Sequence, residues 1–307
     1  MKPKQFILLF LIMLVIFIGA CNKKPKETGA FIGGTKGLEI SFLASAPPAE
    51  FNSDDSVPVT VLLKNLGEGD IGISEAQVKV FGVHTPSFGL SDNFVSNQKK
   101  IVPVSEFAKE GGEGEVSLGS IKYNAEINNF ETFPIKAKVC YPYNTRAQIN
   151  ACITSRRIED GKGEKTCTYT GEKASSGSVS GGPIQITSFT EKLRASDGIL
   201  FDIVIENKGT GKVYRALSSC SDIEDSTKID NLIDVVNVRF NNQDVECNFL
   251  GETSSSGEVR LIDNKKTLTC QRTVSDSSSF KQTLQIDLDY IYVDSATKQI
   301  KIFSTTS

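Results

Sequence analysis

The sequence predicts an all-β protein made of two tandem β-sandwich domains that follow a cleaved N-terminal export signal. Three observations carry this expectation. From Leu38 onward, short runs of alternating apolar residues are separated by clusters of Gly, Asn, Asp and Ser, as half-buried strands and their turns require. A strand-and-turn pattern occurs twice at a constant offset, and a Gly/Ser-rich stretch lies between the copies. At 307 residues the chain has room for two sandwiches of roughly 100 residues each.

The N-terminus comes first. Lys2 and Lys4 precede an apolar run from Phe6 to Ile18 that closes on Gly19 and Ala20. A charged start, a short apolar middle and a small-residue exit describe a secretory signal peptide over residues 1–20. A spanning helix needs roughly 20 apolar residues, and this run gives way to Asn22, Lys23, Lys24, Pro25 and Lys26 before reaching that length. The exit Ile18-Gly19-Ala20-Cys21 resembles the bacterial and archaeal lipobox, which implies cleavage before Cys21 and lipidation of its thiol. Residues 21–37 are then a lipidated Cys and tether, and the lysines at 23, 24 and 26 would lie close to lipid headgroups. The expected location is the extracytoplasmic face of the cell membrane.

The first domain is expected over 38–170, a flexible linker over 171–182 and the second domain over 183–307. Val57–Ile71 aligns with Ile199–Val213 at an offset of 142, and both copies run a strand into Asn-x-Gly-x-Gly: Asn65, Gly67, Gly69 and Asn207, Gly209, Gly211. Asn and Gly tolerate positive φ, so a tight turn is expected there. Near the end of each domain Ile135–Tyr141 aligns with Ile286–Tyr292 at an offset of 151. Period-two alternation places Ile135, Ala137, Val139 and Tyr141 on one core face, and Ile286, Leu288, Tyr290 and Tyr292 on the other. The openings Leu38–Phe42 and Ile184–Phe189 correspond loosely.

Strands ending in Asn-x-Gly, followed by Val78-Lys79-Val80-Phe81 or Val236-Asn237-Val238-Arg239-Phe240, resemble the CARDB family of adhesion-related, immunoglobulin-like modules of archaeal and bacterial surface proteins. The segment Gly33-Gly34-Thr35-Lys36-Gly37-Leu38, with Ala46-Pro47-Pro48 after it, is similar to uncharacterised archaeal surface proteins. The resemblance implies two immunoglobulin-like sandwiches that bind, adhere or act as a scaffold at the cell surface. The partners expected are the membrane, through lipid on Cys21, and other surface proteins or cell-wall polymer.

Composition narrows the chemistry. Signal cleavage removes two of the 34 basic residues and leaves the 37 acidic ones, shifting net charge from −3 to −5, so nucleic acid is not an expected partner. Six cysteines remain beyond Cys21: Cys140, Cys152, Cys167, Cys220, Cys247 and Cys270. An exported chain puts them in an oxidising compartment, where three disulfides are expected. No close Cys pair and a single histidine argue against zinc, and no cofactor is expected. A turn at Arg146 would pair Cys140 with Cys152 and match Tyr143 with Ile149 and Val139 with Ile153 on the opposite face. Cys247 with Cys270 is expected within the second domain, which leaves Cys167 and Cys220 as a cross-domain bridge or two free thiols.

Catalysis is not expected. His84 falls in a loop without a nucleophile motif, and the acidic groups Asp54-Asp55 and Asp222, Glu224, Asp225 and Asp230 lack calcium-loop spacing. Carbohydrate binding is the alternative function, but the chain has no Trp, and Tyr141, Tyr143, Tyr290 and Tyr292 fall on core positions. Lys136 and Lys138 aligned with Asp287 and Asp289 reverse sign beside apolar residues, which suggests weak head-to-tail self-association and, less strongly, a surface filament.

Overall fold

The computed structural model describes residues 29–194, 198–225, 230–274 and 279–305. The expected signal peptide, Cys21 and the expected tether up to residue 28 lie outside them. The first repeat supplies β1 (Leu38–Phe42), β2 (Glu50–Asn52), β3 (Val57–Asn65), β4 (Gln77–Phe81), β5 (Val95–Ser96), β6 (Glu113–Ile121) and β7 (Phe130–Ile153). The second supplies β8 (Ile184–Leu193), β9 (Gly198–Asn207), β10 (Lys212–Arg215), β11 (Leu232–Phe240), β12 (Gln243–Asp244), β13 (Glu246–Asn248), β14 (Thr253–Ser254), β15 (Gly257–Arg260), β16 (Lys265–Thr273) and β17 (Phe280–Phe303). The described chain is all-β apart from short helical turns.

Three sheets result. One is β1-β3-β6, another is β14-β13-β16-β9-β8, and the third is nine-stranded along β12-β11-β17-β7-β4-β5 with β2, β10 and β15 at its flanks. The third sheet belongs to both repeats. Its spine is the antiparallel pair β7–β17, in register from Phe130 opposite Phe303 to Ile153 opposite Phe280.

That pair corrects the hairpin expected at Arg146. Period-two alternation runs unbroken through β7, with Ile135, Ala137, Val139, Tyr141, Tyr143, Thr145, Ala147, Ile149, Ala151 and Ile153 all buried on one face. Asn144-Thr145-Arg146-Ala147 contains no Gly or Pro to force a turn, and Arg146 instead faces Asp287 across the ladder. Twelve residues of extended chain separate Cys140 from Cys152, roughly 40 Å, far beyond the 7 Å or so that a disulfide can bridge.

The cysteines pair otherwise. Cys140 bonds Cys220, Cys152 bonds Cys167, and Cys247 bonds Cys270. The last is the expected pair, held directly opposite in the β13–β16 ladder. Cys140–Cys220 is the bridge between repeats, so the leftover pairing of Cys167 with Cys220 does not form.

Each long strand overruns into the other repeat. The end of β7 packs under the second repeat, where Thr145 Oγ1 donates to the Ile184 carbonyl at 2.7 Å and Cys152 N donates to Glu191 at 2.6 Å. The end of β17 serves the first repeat. It pairs with β2 in parallel, buries Ile300 and Ile302, and places Lys298 Nζ 2.8 Å from the carbonyls of Leu43 and Ala44. A single apolar core runs through both repeats as a consequence.

The expected flexible linker is part of this body too. Gln148 N donates to Ser178 O, Ser180 N donates to Arg146 O, and Val179 is buried opposite Ala147. Small residues let the segment lie flat along β7, so Gly and Ser serve close approach here rather than slack.

Candidate functional site

The repeated Asn-x-Gly-x-Gly motif builds a lock in each repeat. Asn65 Nδ2 donates to the Gly69 carbonyl at 2.7 Å while Gly67 N donates to Asn65 Oδ1 at 3.2 Å; Asn207 does the same to Gly211 and Gly209 at 2.9 and 3.1 Å. A tyrosine from the long strand closes each turn. The Tyr143 hydroxyl accepts from Gly69 N at 3.0 Å and donates to Asn65 Oδ1, and the Tyr292 hydroxyl accepts from Gly211 N at 2.8 Å and donates to Asn207 Oδ1. Burial pushes the Tyr292 hydroxyl up to about 12 and Tyr143 higher still, so both keep the proton they donate.

Two sequence readings change here. None of the four glycines has positive φ. They are required for space: a Cβ on Gly67 would lie 2.2 Å from the Tyr143 hydroxyl, and one on Gly209 would lie 2.2 Å from that of Tyr292. The matched tyrosines also set the repeat register of the last strand at 149 rather than 151, so Tyr143 corresponds to Tyr292 and Tyr141 to Tyr290. A shift of two leaves every side chain on its face, which is why alternation alone did not detect it.

At this register one of the two reversals of sign considered for a head-to-tail contact remains, Lys138 with Asp287. Lys136 and Lys138 correspond to Gln285 and Asp287. Lys138 and Lys79 both bridge Glu224, and Lys136 lies over the Phe81 ring. Asp287 accepts from Asn237 at 2.6 Å, while burial, and then Asp287, push the half-buried Asp289 carboxyl up. The expected apolar patch is covered: Cys140 and Ile291 are buried beneath Tyr214 and Cys220.

A cleft of about 550 Å³ opens beside the first lock, lined by Gly29–Ile32, Glu68, Asp70, Val104–Glu106, Asn144, Arg146 and Ser176, Gly177 and Ser180. Its floor is organised by Glu68, whose carboxylate accepts the backbone N–H groups of Ile32, Gly33 and Gly181 at 3.0, 2.9 and 2.6 Å. One side chain thus ties the start of the described chain and the inter-repeat segment to the first turn. Asp70 pairs with Lys100 at 3.1 Å. The cleft carries mixed charge and no nucleophile held by a base, an arrangement suited to polar contact.

The remaining candidates are local. His84 Nδ1 lies 2.8 Å from Ser87 Oγ, exposed at the start of the helical turn Thr85–Phe88. Asp55 accepts from Asn52 N, Asp222 accepts from Ser219 N, and Asp230 pairs with Arg260. Tyr141, Tyr143, Tyr290 and Tyr292 are buried, as their alternation predicts.

No family model matches the chain, and no curated protein matches it. Among solved structures, the secreted serine protease VesC from Vibrio cholerae aligns at 7% identity and a TM-score of 0.20, covering 85% of this chain and 50% of that one. Alpha-2-macroglobulin of Escherichia coli activated by porcine elastase aligns at 7% identity and 0.17, covering 87% and 32%. Its native conformation aligns at 10% and 0.14, covering 89% and 16%. The chain spans at most half the length of these proteins, and likenesses at such scores carry no argument about fold or function.

Proposed function

We propose that the protein is a lipid-anchored module of the extracytoplasmic membrane face, in which two immunoglobulin-like repeats fused through β7 and β17 act as a non-catalytic binding, adhesion or scaffold body. The observation that carries this reading is the short distance in sequence between anchor and body. Gly29 already lines the cleft that Glu68 organises, eight residues after Cys21. A leash that short suits a module presented at the membrane surface rather than one that ranges away from it.

Three disulfides support an oxidising location. The adhesion-related reading draws on the CARDB-like residues and stands with them. Sugar binding ranks below it, since burial of five of the seven tyrosines takes them from any exposed platform. The test is labelling of intact cells with a membrane-impermeant amine reagent. Labelled protein that sediments with membranes is the expected result; protein labelled only after lysis contradicts the proposal.

A further inference from the structure

The two repeats differ most tellingly in one connection beside the locks. In the second repeat the Asn207 N–H donates to the Asn264 carbonyl, and the chain turns at once, Ile262 and Lys265 bonding each other reciprocally. In the first repeat the Asn65 N–H donates to the Gly112 carbonyl, but the chain runs from Val102 to Gly112 before it returns. The first repeat therefore carries an inserted loop. At its tip Ser105 and Ala108 exchange backbone hydrogen bonds at 3.1 and 3.2 Å, and Ser105 Oγ accepts a further one from Ala108 N. This tied turn holds Phe107 outward, 99% exposed.

A fixed, fully solvated phenylalanine on a loop the sister repeat lacks calls for an apolar neighbour. The loop's position says which one. Val104, Ser105 and Glu106 line the same cleft as Gly29–Ile32, so the loop stands beside the point where the chain leads back to Cys21. Seven residues, 22–28, lie between Cys21 and Gly29, and at roughly 3.3–3.6 Å for each of the steps between them the leash reaches at most about 28 Å. Ile32, in the lining of that cleft, and Val102, at the base of the loop, are 46% and 44% exposed.

We propose that the Phe107 loop rests in the headgroup region of the bilayer that holds the anchor, and so fixes the orientation of the body on the membrane. The proposal rests on the lipid-anchor reading of Cys21. Glu106 and Glu110 flank the loop as well as Lys109, so the contact is apolar rather than a response to anionic lipid, and added salt leaves it in place.

The chain contains no tryptophan, which makes Phe107→Trp a single reporter. Ile262→Trp, at the tight turn that replaces the loop in the second repeat and 70% exposed, is the control. The mature lipidated protein, residues 21–307, is reconstituted into phosphatidylcholine vesicles with or without acyl-chain-brominated lipid. The indole of Phe107→Trp is expected to emit to the blue, to be quenched by the brominated lipid and to resist aqueous iodide, while that of Ile262→Trp stays red-shifted and open to iodide. Vesicle-bound protein in which iodide reaches both indoles equally overturns the proposal. So does shielding that appears in detergent without lipid and grows with protein concentration, which assigns the loop to a second copy. Protein that does not float with the vesicles at all overturns the anchor reading and this inference together.

Discussion

Substitution of Gly209 by Ala tests the lock of the second repeat. The new methyl would sit 2.2 Å from the Tyr292 hydroxyl and 2.8 Å from Pro183 Cβ, so the tyrosine must move, at a cost of about 1–3 kcal/mol for an overpacked site. Tyr292→Phe alone removes the acceptor of the Gly211 N–H and the donor to Asn207, and leaving such a group unpaired costs about 1–3 kcal/mol. Combining the two removes the atom that makes the closest clash. The double variant should therefore lose less than the sum of the single losses, by about 1 kcal/mol or more, the sign expected of residues in direct contact. Urea unfolding of the four proteins, followed by circular dichroism, measures the coupling. Losses that add to within about 0.5 kcal/mol would refute the role given to these glycines.

Two further perturbations address the seam between the repeats. Cys140→Ala with Cys220→Ala opens a loop spanning 80 residues, which the chain-entropy model values at roughly 4.5 kcal/mol. It also frees the turn that presents Glu224 to Lys79 and Lys138; a midpoint of unfolding left unchanged would contradict the bridge. Glu191 gives a pH signature. Its side chain is wholly buried 3.8 Å from Lys173, and burial pushes its carboxyl up to about 7. The folded pKa is raised, so this stabilising contribution is full below the ordinary value of 4.5 and fades as pH rises through 7, by about 3 kcal/mol in all. Thermal melts of the wild type should fall between pH 5 and 8, and Glu191→Gln should flatten that fall; parallel curves would contradict it.

The strands, the repeat and the core tyrosines were legible because alternation with period two records which face is buried. Alternation is blind to what preserves it. A hairpin at Arg146 and a straight β7 bury the same side chains, as do offsets of 149 and 151, so choosing among them required the partner strand β17. The disulfides followed from that choice, since a straight β7 holds Cys140 near the middle of the seam and Cys152 at its end. The glycines of the repeated turn were visible, but their reason was not: it lies with tyrosines 74 and 81 residues away that meet them in space. The Gly/Ser composition of 171–182 was likewise open to two physical readings, slack or close packing, and only the ladder with Arg146 and Gln148 separates them. The loop at Phe107 left no signal in repeat length: between the repeated Asn and its tyrosine the second repeat is the longer, 85 residues against 78, so its own extra strands mask the insertion in the first.

A lipid at Cys21 as the carrier of the fused body predicts a difference in membrane partition between the wild type and Cys21→Ser. The wild type should sediment with membranes and resist extraction by high salt, and the Cys21→Ser chain should appear either as soluble mature protein or as precursor that retains residues 1–20. Membrane retention unchanged in Cys21→Ser, with the signal removed normally, would contradict it.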